Sequence, residues 1–119
     1  QRYVLIPGLA EMQIGKELEK KGYQITMYPE VDLYDILAEG AGESWKIDVK
    51  DYRKPQSMVQ YLLKEVEKED WDPSIIYVIP NKHVRDIPSY LQQVAGFLKK
   101  RDINVMSTNQ LLRKVGVAR

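Results

Sequence analysis

The sequence predicts a mixed α/β domain in the order α-β-β-β-α-β-α-β-α, one layered unit around a single sheet. Three observations predict it. In "GLAEMQIGKELEKKG" the apolar residues Ala10, Ile14 and Leu18 fall four apart, which makes one helical stripe with charges opposite. The stretches "YQITMYPEV", "DLYDILAE" and "SWKIDVK" alternate at period two and are joined by turn residues, as consecutive antiparallel strands do. "SIIYVIP" is short and almost wholly apolar, the pattern of a strand covered on both faces.

The elements follow in order. Gly22 stands where the first helix should stop. Pro29 limits how far the first strand can pair, and "GAGES" supplies the hairpin turn between the second and third strands. "PQSMVQYLLKEVEKED" reads as a helix with Pro55 at its start and Met58, Tyr61, Leu62 and Val66 facing inward. After "SIIYVIP" come a second amphipathic helix, "IPSYLQQVAGFLKKRD", a short strand, "INVMS", and a terminal helix, "TNQLLRKV", with Thr108 or Asn109 as its cap. No repeat, linker or low-complexity segment interrupts residues 1–119, so the chain reads as a single domain.

Length and composition exclude several function classes. At 119 residues and 44% hydrophobic content the chain can bury one core without staples. The absence of cysteine removes disulfides, thiolate zinc sites and cysteine nucleophiles, and the single His83 cannot build a histidine-rich metal site. Any metal would have to be held by oxygen. No apolar run approaches the roughly 20 residues of a membrane span, and the expected location is the cytoplasm. Opening on Gln1, with "RYVLI" already apolar, the chain is expected to have been excised from a longer protein with further domains or partners. The net charge of +1 hides an asymmetry. Residues 1–84 carry 11 Lys and Arg against 15 Asp and Glu, a balance of −4, and residues 85–119 carry 7 against 2, a balance of +5. Such a tail permits contact with a polyanion and equally suits a solvated helix end.

The third strand poses the functional question. Trp45, Ile47 and Val49 form one apolar face, which leaves Lys46, Asp48 and Lys50 on the other. A solvated outer face would explain the charges without function. Asp35, however, lies in the second strand, and hairpin pairing can bring its carboxylate beside that of Asp48. Two like charges side by side need something positive between them, either Lys50 or a hard divalent cation. Mg²⁺ accepts a few carboxylates, backbone carbonyls and retained waters. Asp35, Asp48 and the Val49 carbonyl would provide that set, with Lys50 left to meet a water or a phosphate.

With those residues in place the chain resembles the PD-(D/E)XK nucleases of restriction-endonuclease-like fold. Their core order of helix, three-stranded meander, helix and strand matches residues 9 to about 80. The motif stands as Asp35, twelve residues, then Asp48-Val49-Lys50, and Glu11, eleven residues before Gly22-Tyr23, matches the glutamate that many members carry on the first helix. The resemblance implies Asp35, Asp48 and the Val49 carbonyl as ligands of Mg²⁺ or Mn²⁺, Glu11 completing or steering that shell, and Lys50 polarising the attacking water. The implied reaction is hydrolysis of nucleic acid, expected to be DNA, in a bacterial defence or repair system, with a homodimer where both strands of a duplex are cut. The alternative is a catalytically inactive nuclease-like module that binds nucleic acid or a partner protein. Glu19-Lys20-Lys21 also fits the tripeptide, but it lies on a helix without a partner aspartate and reads as surface. A flavodoxin-like or receiver-like domain fits poorly, because consecutive hairpin strands replace alternating strands and helices.

Asp32 competes with Asp35 as the ligand, and the spacing to Asp48 favours Asp35. The second helix lacks the Gln and Tyr four apart that mark the RecB-like branch. Arg53, Lys54, Lys82 and Arg85 fall just beyond strands three and four, where α/β sheets open their ligand crevice, and are the candidates for phosphate contacts. His83, in "PNKHVRD", reads as a loop residue, and Trp45 and Trp71 as packing.

Overall fold

The structure, a computed structural model, describes residues 8–30, 34–98 and 101–117. They form α1 (Leu9–Lys20), β1 (Gln24–Glu30), β2 (Tyr34–Gly40), β3 (Glu43–Val49), α2 (Pro55–Glu65), β4 (Ile75–Ile79), α3 (Asn81–Asp86), α4 (Tyr90–Phe97), β5 (Asn104–Ser107) and α5 (Thr108–Val115). The expected mixed α/β order is present with one addition. Residues 81–86, read as a loop from sequence, form the six-residue helix α3.

The five strands make one sheet in the order β1-β2-β3-β4-β5. β1, β2 and β3 are an antiparallel meander, whereas β3-β4 and β4-β5 are parallel pairs joined through helices. The meander turns at Ala41 and Gly42, whose φ values of 54° and 78° are both left-handed. A two-residue hairpin turn of type I′, whose twist matches that of its strands, has that handedness at both positions, and Gly42 takes it without steric cost.

Both faces of the sheet are covered. On one, Ile14 and Leu18 of α1 and Leu111 and Val115 of α5 pack on Ile36, Ala38, Ile47, Ile76 and Val78. On the other, Met58, Val59 and Leu62 of α2 and Tyr90 and Val94 of α4 pack on Ile75, Tyr77 and Ile79. The expected inward stripe of α2 is present, with Met58 and Leu62 fully buried, Tyr61 half-buried and Val59 added to it. Complete burial of such side chains contributes about 1.5–3 kcal/mol each. The last helix is capped one residue earlier than expected. Ser107 Oγ accepts the Gln110 N–H at 3.2 Å while Gln110 Oε1 accepts the Ser107 N–H at 3.0 Å, so a strand residue doubles as the cap. Trp45 packs at the edge of the first core, and Trp71 Nε1 donates to the Tyr77 hydroxyl at 3.1 Å. Among the described residues no helix is long and apolar enough to cross a membrane.

Candidate active site

The site grows from the open end of the β2-β3 hairpin. The ladder runs from Gly40↔Glu43 at the turn to Ile36↔Ile47, and there it ends. The next pair in that register is Asp35 with Asp48. Instead of another backbone bond, Asp35 Oδ2 accepts the Val49 N–H at 2.8 Å, so a side chain takes the place of a ladder carbonyl. Because β3 alternates, Ile47 and Val49 enter the α1-α5 core while Asp48 points to the α2 side, where Tyr77 is its neighbour on β4.

Asp48 is only 3% exposed. The solvated-face explanation of its charge therefore fails at this residue. Lys50 Nζ lies 3.2 Å from Asp48 Oδ2, and the Tyr61 hydroxyl, from α2, donates to the same oxygen at 3.4 Å. Lys50 Nζ also sits over the Tyr61 ring, 4.6 Å from its centroid. Burial, reinforced by the hydrogen bond and negative charge of Asp35, pushes the Asp48 carboxyl from its ordinary 3.8 up to about 7, against the opposing pull of Lys50. That rise corresponds to a free energy on the order of 4 kcal/mol against ionisation, so one lysine does not compensate for the burial of Asp48. A buried carboxylate in this condition beside a second one fits a hard divalent cation, which would favour the ionised form of Asp48.

Glu11 approaches from α1 but stands apart from the pair. Its Oε2 accepts the Tyr28 hydroxyl at 2.5 Å and the Gly8 N–H at 2.8 Å. Tyr28 sits at the register shift between Met27 and Glu30 with φ 50°, a left-handed conformation rare for an aromatic residue. Burial, then the Glu11 hydrogen bond, then the charges of Glu11 and Asp35 raise its phenol to about 12. Tyr28 is thus bonded to Glu11 and feels the charge of Asp35 through space. Among the described residues no three His, Cys, Asp or Glu side chains are grouped so as to hold a metal ion. Asp35, Asp48 and Lys50 come together, and Glu11 stands apart, bonded to Tyr28 and to the Gly8 N–H. Asp32 lies outside the described residues.

On the α1-α5 side a cleft of about 690 Å³ opens beyond β3 and β4, with Glu11, Val49, Asp51, Lys82, Arg85 and Asn109 among its walls. Lys82 and Arg85 accordingly face a concave surface. Arg53 and Lys54 are exposed on the segment after β3, which Tyr90 anchors by donating its hydroxyl to the Tyr52 carbonyl at 2.6 Å.

Three side chains near the site carry contacts that sequence reasoning did not assign. His83 corrects the loop reading: it lies in α3, is 4% exposed, and its Nε2 is 2.5 Å from Asp51 Oδ1. Tyr28 and Tyr61 are the others. Tyr61 left a signal, a hydroxyl-bearing residue within the inward stripe of α2. His83 left none, since Asp51 is 32 positions away.

A mixed sheet flanked by helices, with an acidic pair and a lysine at its open end, is in keeping with the restriction-endonuclease-related class. The chain belongs to the family described as "REase associating with pPIWI_RE", whose family model matches residues 8–118. No curated protein and no solved structure matches it.

Proposed function

We propose that this chain is a metal-dependent nuclease of PD-(D/E)XK type that hydrolyses phosphodiester bonds of nucleic acid, with DNA as the expected substrate. The observation that carries the reading is the convergence of Asp35, Asp48 and Lys50 at the end of one hairpin, with Asp48 buried and reluctant to ionise alone. A carboxylate whose ionisation is opposed by burial, beside specific charged partners, has the signature of a functional-site group. The family description supports a nuclease-related module working beside a pPIWI_RE protein, and that protein is the proposed partner.

In this reading Asp35, Asp48 and the Val49 carbonyl would hold Mg²⁺ or Mn²⁺, which would supply Lewis acidity at a scissile phosphate and a more acidic water. Lys50, with a side chain 25% exposed, places positive charge where the phosphorane gains negative charge. Glu11 orients the acidic end of the site through Tyr28. Lys82 and Arg85, and outside the cleft Arg53 and Lys54, meet the phosphates of the strand.

One observation favours a second reading. With no group of three acidic or histidine ligands among the described residues, the same fold suits an inactive module that binds nucleic acid or the partner. Incubation of the purified chain with single- and double-stranded DNA and RNA, in Mg²⁺, Mn²⁺ or chelator, separates the two. Cleavage with metal alone supports the nuclease. Binding without cleavage in every condition supports the inactive module.

A further inference from the structure

Tyr61 touches two polar members of the site, Asp48 and Lys50, from outside the segment that carries them. Its ring lies under Lys50 Nζ at 4.6 Å, and its hydroxyl reaches Asp48 Oδ2 at 3.4 Å. The ring is itself fixed. Tyr52 packs on it with centroids 5.8 Å apart, Tyr77 meets it edge-on at 6.2 Å, and its backbone is in the helix α2 between the buried Val59 and Leu62. Lys50, by contrast, follows the last residue of β3 and carries four rotatable bonds. Among the described residues, Asp48 Oδ2 is the contact that the ammonium makes apart from the ring.

That Asp48 contact cannot serve as the anchor of a working lysine. On the nuclease reading, which this inference deepens, Asp48 turns its charge to a cation when the site is loaded, and the cation then repels the ammonium. A lysine held only by Asp48 would swing into solvent at the moment it is needed. An aromatic face attracts an ammonium through its quadrupole and competes for no metal. We propose that Tyr61 is the positioning residue for Lys50, its ring holding the ammonium at the site whether or not Asp48 is engaged.

The ring and the hydroxyl separate by substitution. Tyr61→Phe keeps the aromatic face and removes the bond to Asp48. Tyr61→Leu removes the face and preserves apolar bulk at a half-buried helical position. Two readouts apply. The first is competitive acylation of lysines at one fixed pH, with Lys50 quantified by mass spectrometry against the other lysines in the absence and presence of Mn²⁺. The expected result is slow labelling of Lys50 in the wild type and in Tyr61→Phe under both conditions, and labelling at least about threefold faster in Tyr61→Leu, most clearly with Mn²⁺. The second is steady-state cleavage. Tyr61→Phe should stay within about threefold of wild type, while Tyr61→Leu should lose about tenfold or more in kcat with KM unchanged. A folded Tyr61→Leu protein that protects Lys50 like the wild type overturns the proposal, and so does a Tyr61→Phe protein as impaired as Tyr61→Leu. A wild type that cuts nothing overturns the nuclease reading instead, and the labelling comparison still decides whether the ring holds Lys50.

Discussion

Asp35 reaches across the end of the hairpin to accept the Val49 N–H at 2.8 Å, where the register would otherwise continue the ladder. One interaction thus does two things. It ends the β2-β3 pairing, and it fixes a carboxylate beside Asp48, whose own strand neighbour has just been tied down. The acidic pair is a product of where the sheet stops, and each of its members can be tested separately.

Asp48→Asn removes a buried charge and keeps the shape. In the metal-free folded protein Asp48 holds its proton up to about pH 7, but in the unfolded chain only to about 3.8. Between those values the folded state binds more protons, so stability falls as pH rises, and the loss is complete above 7. Thermal unfolding in chelator from pH 4 to 8 should show that decline in the wild type. Asp48→Asn should lack it and be more stable at pH 8 by about 2–4 kcal/mol. The same substitution should abolish metal-dependent cleavage.

Lys50→Ala should abolish cleavage and leave Mn²⁺ affinity equal or tighter, because it deletes a positive charge that competes with the cation for Asp48. Calorimetry and a cleavage assay on one preparation check both halves. Loss of metal binding in this variant would show that Lys50 supports the fold of the site rather than the reaction.

Tyr28→Phe removes the hydroxyl that holds Glu11. The lost hydrogen bond, made to a charged group, should cost about 1.5–3 kcal/mol at most in stability. Cleavage should fall by about the same factor as in Glu11→Ala, since both remove the contact between the two side chains. If Glu11→Ala lowers activity and Tyr28→Phe does not, Glu11 acts without its tyrosine.

Binding of DNA or RNA should weaken steeply with salt, as phosphate contacts require. Lys82→Ala and Arg85→Ala, in the cleft, should each lower the slope of log affinity against log salt by about 1. Unchanged slopes measured by anisotropy would remove the cleft from the binding surface.

Much of this architecture was legible because it is local. Ala10, Ile14 and Leu18 repeat at helical spacing, the meander strands alternate, and strand parity alone sets Asp48 apart from Ile47 and Val49. The side-by-side placement of Asp35 and Asp48 follows from hairpin register, which the short turn at Ala41-Gly42 fixes. What escaped depends on contacts distant in sequence or on unusual backbone. Helix α3 is six residues long, too short to show a period. The seat of Glu11 depends on a left-handed Tyr28 at a strand irregularity, and no residue type announces that conformation. The His83-Asp51 contact joins residues 32 apart from different elements.

If Asp35 and Asp48 form one cation site, calorimetric titration of Mn²⁺ into the wild type, Asp35→Asn and Asp48→Asn reads it without recourse to cleavage. The wild type should give a saturable heat that is lost or weakened at least about tenfold in both variants. No saturable binding by the wild type, or binding equal to wild type in a folded Asp48→Asn protein, would contradict it.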